Sequence, residues 1–139
     1  MKLGKAVIGP AIVLLLAGVV AGTCFVMCQD RIAFTVSNES GLPMKNVVVM
    51  VAATPYALGD IQAGGRGHAV VYRLPDCSPR LKYTTGENVY DLDLDTYLCS
   101  GMRGTMCIST KQGELSVTED IGGHYVRTIP AKPGSEKGG

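Results

Sequence analysis

The sequence predicts an all-β fold: a small antiparallel β-sandwich of about seven to nine strands, immunoglobulin-like in the loose sense, behind one N-terminal transmembrane helix. Three observations predict it. Ala6–Met27 is uncharged and apolar, apolar residues alternate or form short β-branched runs from Arg31 onward, and turn-forming residues recur about every 8–15 positions. A small open barrel is the alternative architecture.

The uncharged segment comes first in the chain. At about 1.5 Å of rise per residue its 22 residues reach about 33 Å as a helix, which matches a hydrocarbon core of about 30 Å. Lys2 and Lys5 precede it, so residues 1–5 are expected in the cytoplasm. The domain that follows is therefore expected outside the cytoplasm, held by a single pass through the cytoplasmic membrane.

Two other interpretations of this segment remain open. Val19–Ala21 before Gly22 would serve as the cleavage site of a signal peptide. Cys24 could carry a lipid, although Thr23 before it is a poor match to that signal. Cys24 and Cys28 share one helix face, as small apolar residues, as a link between neighbouring helices or as acylation sites. Cleavage and lipidation also place the domain outside the cytoplasm.

The extracytoplasmic domain is predicted over residues 28–129. Ile32, Phe34 and Val36 alternate with small or polar residues, which is the spacing of a half-buried strand. Residues 130–139 are rich in Pro, Gly and Lys and are predicted to be a disordered tail. After the strand at Arg31, the predicted strands are Lys45–Ala52, Tyr56–Ile61, His68–Arg73, Arg80–Thr84, Val89–Cys99, Thr105–Thr110, Glu114–Glu119 and His124–Ile129. The opening FTVSNESGLPMKNVVVMV resembles the first hairpin of many extracytoplasmic β-sandwich modules.

Charge excludes one class of partner. The net charge is +1, and two of the 13 Lys and Arg residues precede the apolar segment, so the outer part is near neutral against its 12 Asp and Glu. A nucleic-acid-binding domain needs a basic surface, and side chains on which bases could stack are scarce, with no Trp, two Phe and six Tyr. Nucleic acid is therefore not an expected partner.

A hairpin is predicted around Met102-Arg103-Gly104, with Gly104 as the left-handed residue of a three-residue loop. In that register Cys99 lies opposite Cys107, at a Cα separation of about 4.5–5.5 Å that suits a disulfide. An oxidising compartment favours the bond. Cys77 is then left as a single thiol.

The same stretch allows a soft-metal interpretation. Thiolates and thioethers are ligands that Cu(I) prefers, and a histidine could complete the set. Alternation of side chains along the predicted strand argues against a single copper site, because it turns Met106 toward the core and both cysteines away from it. Neither a metal nor a cofactor is predicted, and the copper alternative would use Cys99, Met102, Met106, Cys107 and His124, with His68 as the other available imidazole.

Asp91, Asp93 and Asp95 lie on one face of the predicted strand Val89–Cys99. Side chains two residues apart on a strand are separated by about 7 Å, too far for one calcium ion to touch all three. A solvated acidic face is expected.

No enzymatic activity is expected. His68 and His124 stand in no nucleophile motif, although a site could assemble in space. The sequence favours a non-catalytic interaction module whose loops or edge strands dock an envelope or membrane protein. Self-association through the helix is a further option, and copper handling is the alternative function.

Overall fold

The structure, a computed structural model, describes residues 8–27 and 30–134, with side chains in the helix described from residue 12 to residue 23. These described residues form one helix and nine strands, so the predicted all-β fold is confirmed. The elements in chain order are α1 (Ile8–Met27), β1 (Arg31–Asn38), β2 (Met44–Val51), β3 (Thr54–Ile61), β4 (Arg66–Tyr72), β5 (Arg80–Thr85), β6 (Asn88–Asp93), β7 (Arg103–Lys111), β8 (Glu114–Ile121) and β9 (His124–Pro130).

The strands form two sheets that share one apolar core. The five-stranded sheet has the order β4-β1-β7-β8-β9 and the four-stranded sheet the order β3-β2-β5-β6. Neighbours are antiparallel except β1 and β7, which run parallel. The prediction of a wholly antiparallel sandwich is wrong at this pair. Side-chain alternation indicates which face of a strand is buried but carries no information about the direction of a neighbour far away in sequence.

The core is built from the inward residues of both sheets. Burial in β1 alternates residue by residue, and Phe34 is fully buried. Leu81 from β5 and Met106 from β7 are equally inaccessible to solvent. Burying such a side chain stabilises the fold by roughly 1.5–3 kcal/mol, so the alternating pattern is the main reason that each strand turns this face toward the core.

The predicted strand Val89–Cys99 is shorter in the structure. The ladder of β6 ends at Asp93, and Asp95 adopts a left-handed φ of 51° with its amide hydrogen-bonded to Asp93 Oδ1 at 2.8 Å. From there the chain crosses to the other sheet, and Leu94 and Leu98 stay buried on the way. The apolar alternation persisted because a segment crossing between two sheets also has one side toward the core.

The helix α1 covers 20 residues of the uncharged segment. No helix among the described residues is both long and apolar enough to cross a membrane, so the transmembrane part of the prediction is not supported. Cys28 lies outside the described residues, and so do residues 1–7 and 135–139.

The direction of β1 defines two ends of the sandwich. The chain enters at Arg31, and β1 runs eight residues to Asn38, about 23 Å away at 3.3 Å per residue. We call the first the entry end and the second the distal end. The distal end holds the β1–β2 loop, the β5–β6 and β7–β8 turns, and the residues after β9.

Candidate functional site

The predicted disulfide between Cys99 and Cys107 is not present in the structure. Cys77, Cys99 and Cys107 are free, and the predicted hairpin does not form. Cys107 lies in β7 between Thr35 of β1 and Thr118 of β8, whereas Cys99 precedes the strand. β7 is an interior strand, so both of its edges are already used by other partners. The hairpin register is wrong, and the disulfide is not supported.

Gly104 has a different role from the predicted one. It lies within β7, paired with Ile121, with a φ of 158°. A Cβ atom there would collide with the backbone of Asp120. The glycine permits close approach of β8 and does not turn the chain.

The copper ligand set is dispersed. Met106 is fully buried, Cys107 is exposed on the outer face of the five-stranded sheet, and His124 Nδ1 contacts Asp120 Oδ1 at 2.5 Å. His68 contacts the Thr35 hydroxyl at 3.1 Å. Within residues 8–27 and 30–134 no three His, Cys, Asp or Glu side chains come together as a metal site.

The acidic face is a surface of cross-strand ion pairs. Asp91 accepts a hydrogen bond from Arg80 Nε at 2.8 Å and lies 3.6 Å from Lys82 Nζ. The hydrogen bond to Asp91 raises the pKa of Arg80. Asp93 accepts the Asp95 amide instead, so the three carboxylates do not converge.

A cleft of about 220 Å³ opens at the distal end. Its walls come from both sheets and from the loops that close this end. The lining residues are Ser40, Leu42, Tyr83, Thr85, Tyr90, Lys111, Gln112, Gly113 and Ala131. None of these described residues is a His, Cys, Asp or Glu.

Two stacked tyrosines dominate the cleft. Tyr83 of β5 and Tyr90 of β6 are direct cross-strand partners, and their rings stack with centroids 4.7 Å apart and planes 8° from parallel. Tyr83 is buried and Tyr90 half-buried. Burial, with a smaller effect of Tyr90, raises the pKa of Tyr83 to about 12. The Tyr83 hydroxyl is therefore protonated at any physiological pH and can donate a hydrogen bond.

Several polar groups of the cleft lack partners. Neither tyrosine hydroxyl bonds to a described residue, and the buried Thr85 hydroxyl has none either. Lys111 makes no ion pair within the described chain, although Glu114 lies opposite it across the β7–β8 turn. Of these groups only the Thr85 hydroxyl is a buried atom, and because buried polar groups are usually hydrogen-bonded, its missing partner is a place where a ligand could supply one.

The rim of the cleft is held by one buried amide. Asn38 Nδ2 donates to the carbonyl oxygens of Leu42 at 2.7 Å and Ile61 at 3.0 Å. Its Oδ1 accepts the Ser40 amide at 3.1 Å and the Ser40 hydroxyl at 2.7 Å. Asn38 thus fixes the β1–β2 loop and with it the two rim residues Ser40 and Leu42.

Sequence reasoning missed this cleft. The available signal was the placement of Tyr83 and Tyr90 on either side of the turn at Gly86, where a hairpin makes them cross-strand neighbours. The Gln112-Gly113 turn that forms another wall was predicted correctly, and Gly113 has the positive φ of 79° that such a turn requires.

The fold and cleft define the class of protein as a two-sheet all-β domain with a small aromatic cleft at one end. Compared with known proteins, the chain matches no protein-family model, no curated protein and no solved structure.

Proposed function

We propose that this chain is a non-catalytic interaction module anchored in the cytoplasmic membrane through Ala6–Met27, with its sandwich outside the cytoplasm, that binds an envelope or membrane protein in the distal cleft. The observation that carries the proposal is the Tyr83–Tyr90 stack, which lines a cleft while neither hydroxyl bonds to a residue that the structure describes. The anchor rests on the sequence and not on the described helix: Ala6–Met27 has 22 residues without a charge, which as one continuous helix would reach about 33 Å.

The two halves of the proposal fit together in space. The chain enters the sandwich at Arg31, four residues after α1 ends, and the cleft lies at the opposite end of β1. An anchor at the entry end leaves the cleft directed away from the membrane surface. A partner could reach it there without displacing lipid.

The composition of the cleft favours a protein partner. Its volume is below the roughly 300–1,000 Å³ of pockets that enclose drug-sized ligands, so it suits a side chain or chain end. Leu42 on the rim is 54% exposed and adds apolar contact area. Tyrosine is enriched at the energetic centres of protein interfaces because it combines apolar area with a hydroxyl donor.

Site-specific photo-crosslinking in membranes of the source cells tests the proposal. A benzophenone amino acid at Leu42 is expected to capture one protein of discrete mass. The same group at Val70, an apolar residue 42% exposed on the outer face of β4, is the matched control and should not capture it. Tyr90→Ala should abolish capture at Leu42. Capture that persists in Tyr90→Ala, or occurs equally from Val70, would overturn the proposal.

An alkaline carbonate wash tests the anchor separately. The full-length chain is expected in the membrane pellet, because about 22 uncharged residues resist extraction that strips peripheral proteins. Recovery of the full-length chain in the supernatant would contradict anchoring.

A further inference from the structure

We infer that the cleft binds the C-terminal carboxylate of its partner, with the terminal apolar or aromatic side chain against the Tyr83–Tyr90 stack. This inference rests on the proposed function and specifies the chemical group that the cleft recognises.

The charge of the lining selects an anion. Lys111 is the one ionisable cation among the described lining residues, and no carboxylate accompanies it. Glu114 is its cross-strand neighbour but forms no ion pair with it in the described structure. Lys111 is exposed beside the cleft, so a ligand carboxylate bound there would lie within its reach, and hydrogen bonds to charged groups are the stronger kind.

The neutral polar groups of the lining can donate hydrogen bonds to an acceptor. The Tyr83 hydroxyl stays protonated, and the Tyr90 hydroxyl is also without a described partner. Gln112 adds an amide from the β7–β8 turn. A carboxylate has two acceptor oxygens with about four lone-pair sites, so it can use several such donors at once.

The apolar part of the lining selects what accompanies the carboxylate. The stacked rings, Leu42 and Ala131 form an aromatic and aliphatic surface beside the donors. A C-terminal residue carries a side chain and a carboxylate on the same Cα and needs only one path for its chain. An internal Asp or Glu would need two chain paths through a cleft of about 220 Å³.

Titration calorimetry of the full chain in nanodiscs, with empty nanodiscs as reference, tests the inference. N-acetylphenylalanine carries the terminal carboxylate, and N-acetylphenylalaninamide is its uncharged counterpart. N-acetylaspartate α-methylamide carries its carboxylate on the side chain only. We expect the first probe to bind at least about tenfold more tightly than the other two, with a preference that weakens as salt rises.

Substitutions of lysine test whether Lys111 causes the preference for the carboxylate probe over the amide probe. Lys111→Gln should reduce the ratio of the affinities for the carboxylate and amide probes to about twofold or less. Lys82→Gln is the matched control, since Lys82 is an exposed lysine on the outer face of the other sheet, and its ratio should not change. Glu114→Gln removes a competing charge beside Lys111 and should raise the affinity for N-acetylphenylalanine by about twofold.

The outcomes separate this inference from the proposed function. Equal binding of the carboxylate and amide probes, or a ratio that survives Lys111→Gln, would overturn the inference even if capture at Leu42 still depended on Tyr90. Tighter binding of the aspartate probe would reassign the site to an internal acidic side chain and overturn the chain-end assignment. Loss of the Tyr90 dependence of crosslinking would overturn the proposed function itself.

Discussion

The entry half of the sandwich and the cleft at its distal end differ in whether their polar side chains have hydrogen-bond partners. In the entry half, Thr96 Oγ1 donates to Glu119 Oε2 at 2.6 Å, and Arg127 bonds both to that carboxylate and to the carbonyl of Asp95. At the distal end, the hydroxyls of Tyr83 and Thr85 have no described partner.

The difference separates polar groups that hold the fold together from polar groups that are available to a ligand. Glu119 is 8% exposed, and a carboxylate in such a position must be paired or it destabilises the fold. The network also fixes the segment that crosses between the sheets at Asp95. The cleft has no comparable network among its own lining side chains. We therefore expect substitutions in the entry half to change stability alone and substitutions in the cleft to change binding.

The largest effect is expected at Asn38, whose side-chain amide makes four hydrogen bonds at the distal end. Asn38→Ala removes the donor to Leu42 and Ile61 and should lower the free energy of unfolding by about 4 kcal/mol, since each unpaired buried group costs about 1–3 kcal/mol. Denaturant unfolding of the full chain in micelles, followed by tyrosine near-ultraviolet circular dichroism, measures it. Ser40→Ala, which removes one bond to Asn38 Oδ1, should cost about 1 kcal/mol or less. If Asn38→Ala lowered the free energy of unfolding by less than about 1 kcal/mol, other contacts would be holding the rim.

The next effect is expected at Arg127. Arg127→Ala leaves the Glu119 carboxylate with Thr96 alone and should destabilise the fold by about 3 kcal/mol, the lower end of the range for a broken buried pair because Arg127 is partly exposed. The double variant Glu119→Gln with Arg127→Met removes both charges and should recover most of that loss. Binding of N-acetylphenylalanine should be unchanged in both variants. Reduced binding would show that the two regions are coupled.

The strands could be predicted from sequence because their inward residues alternate. Ile32, Phe34 and Val36 specify the buried face of β1 by themselves. The partner of β1 could not be predicted, because its pairing with β7 depends on the packing of the whole sheet. The same limit produced the wrong register for Cys107: a hairpin is the nearest pairing in sequence, and here β1 and β8 occupy both edges of β7 instead.

The candidate site was less predictable than the fold. Its residues come from four separate stretches of the chain, and only the hairpin pairing of Tyr83 with Tyr90 is local. The unpaired state of Thr85 and Lys111 is a property of three-dimensional surroundings that no residue pattern specifies. The sequence analysis concentrated on Cys and His, because these residues often bind metals or act in catalysis. In the described structure they do not come together as a metal site.

A smaller effect is expected from the ionisation of Tyr83. Its folded pKa of about 12 lies above the ordinary value of 10.0, so the neutral hydroxyl contributes stability that is fully present below pH 10 and is lost as pH rises through 12. The loss is at most about 2.7 kcal/mol. Denaturation midpoints at intervals between pH 9 and 12 should show the stability of the native chain falling relative to that of Tyr83→Phe as pH rises. Tyr97→Phe, at an exposed tyrosine outside the cleft, should keep the native profile, and a native profile for Tyr83→Phe would contradict the assignment.

The smallest effect, and the sharpest test of the comparison, concerns two buried hydroxyls. Thr85 Oγ1 and Ser109 Oγ are both buried without a described hydrogen-bond partner, but only Thr85 lines the cleft. Thr85→Val and Ser109→Ala each remove an unpaired group with little change of shape, so each should raise the free energy of unfolding by about 1 kcal/mol. Thr85→Val should in addition weaken binding of N-acetylphenylalanine, whereas Ser109→Ala should leave it unchanged. If both variants gained stability and both kept full binding, the Thr85 hydroxyl would be an ordinary unpaired group, and the cleft would depend on its tyrosines and Lys111 alone.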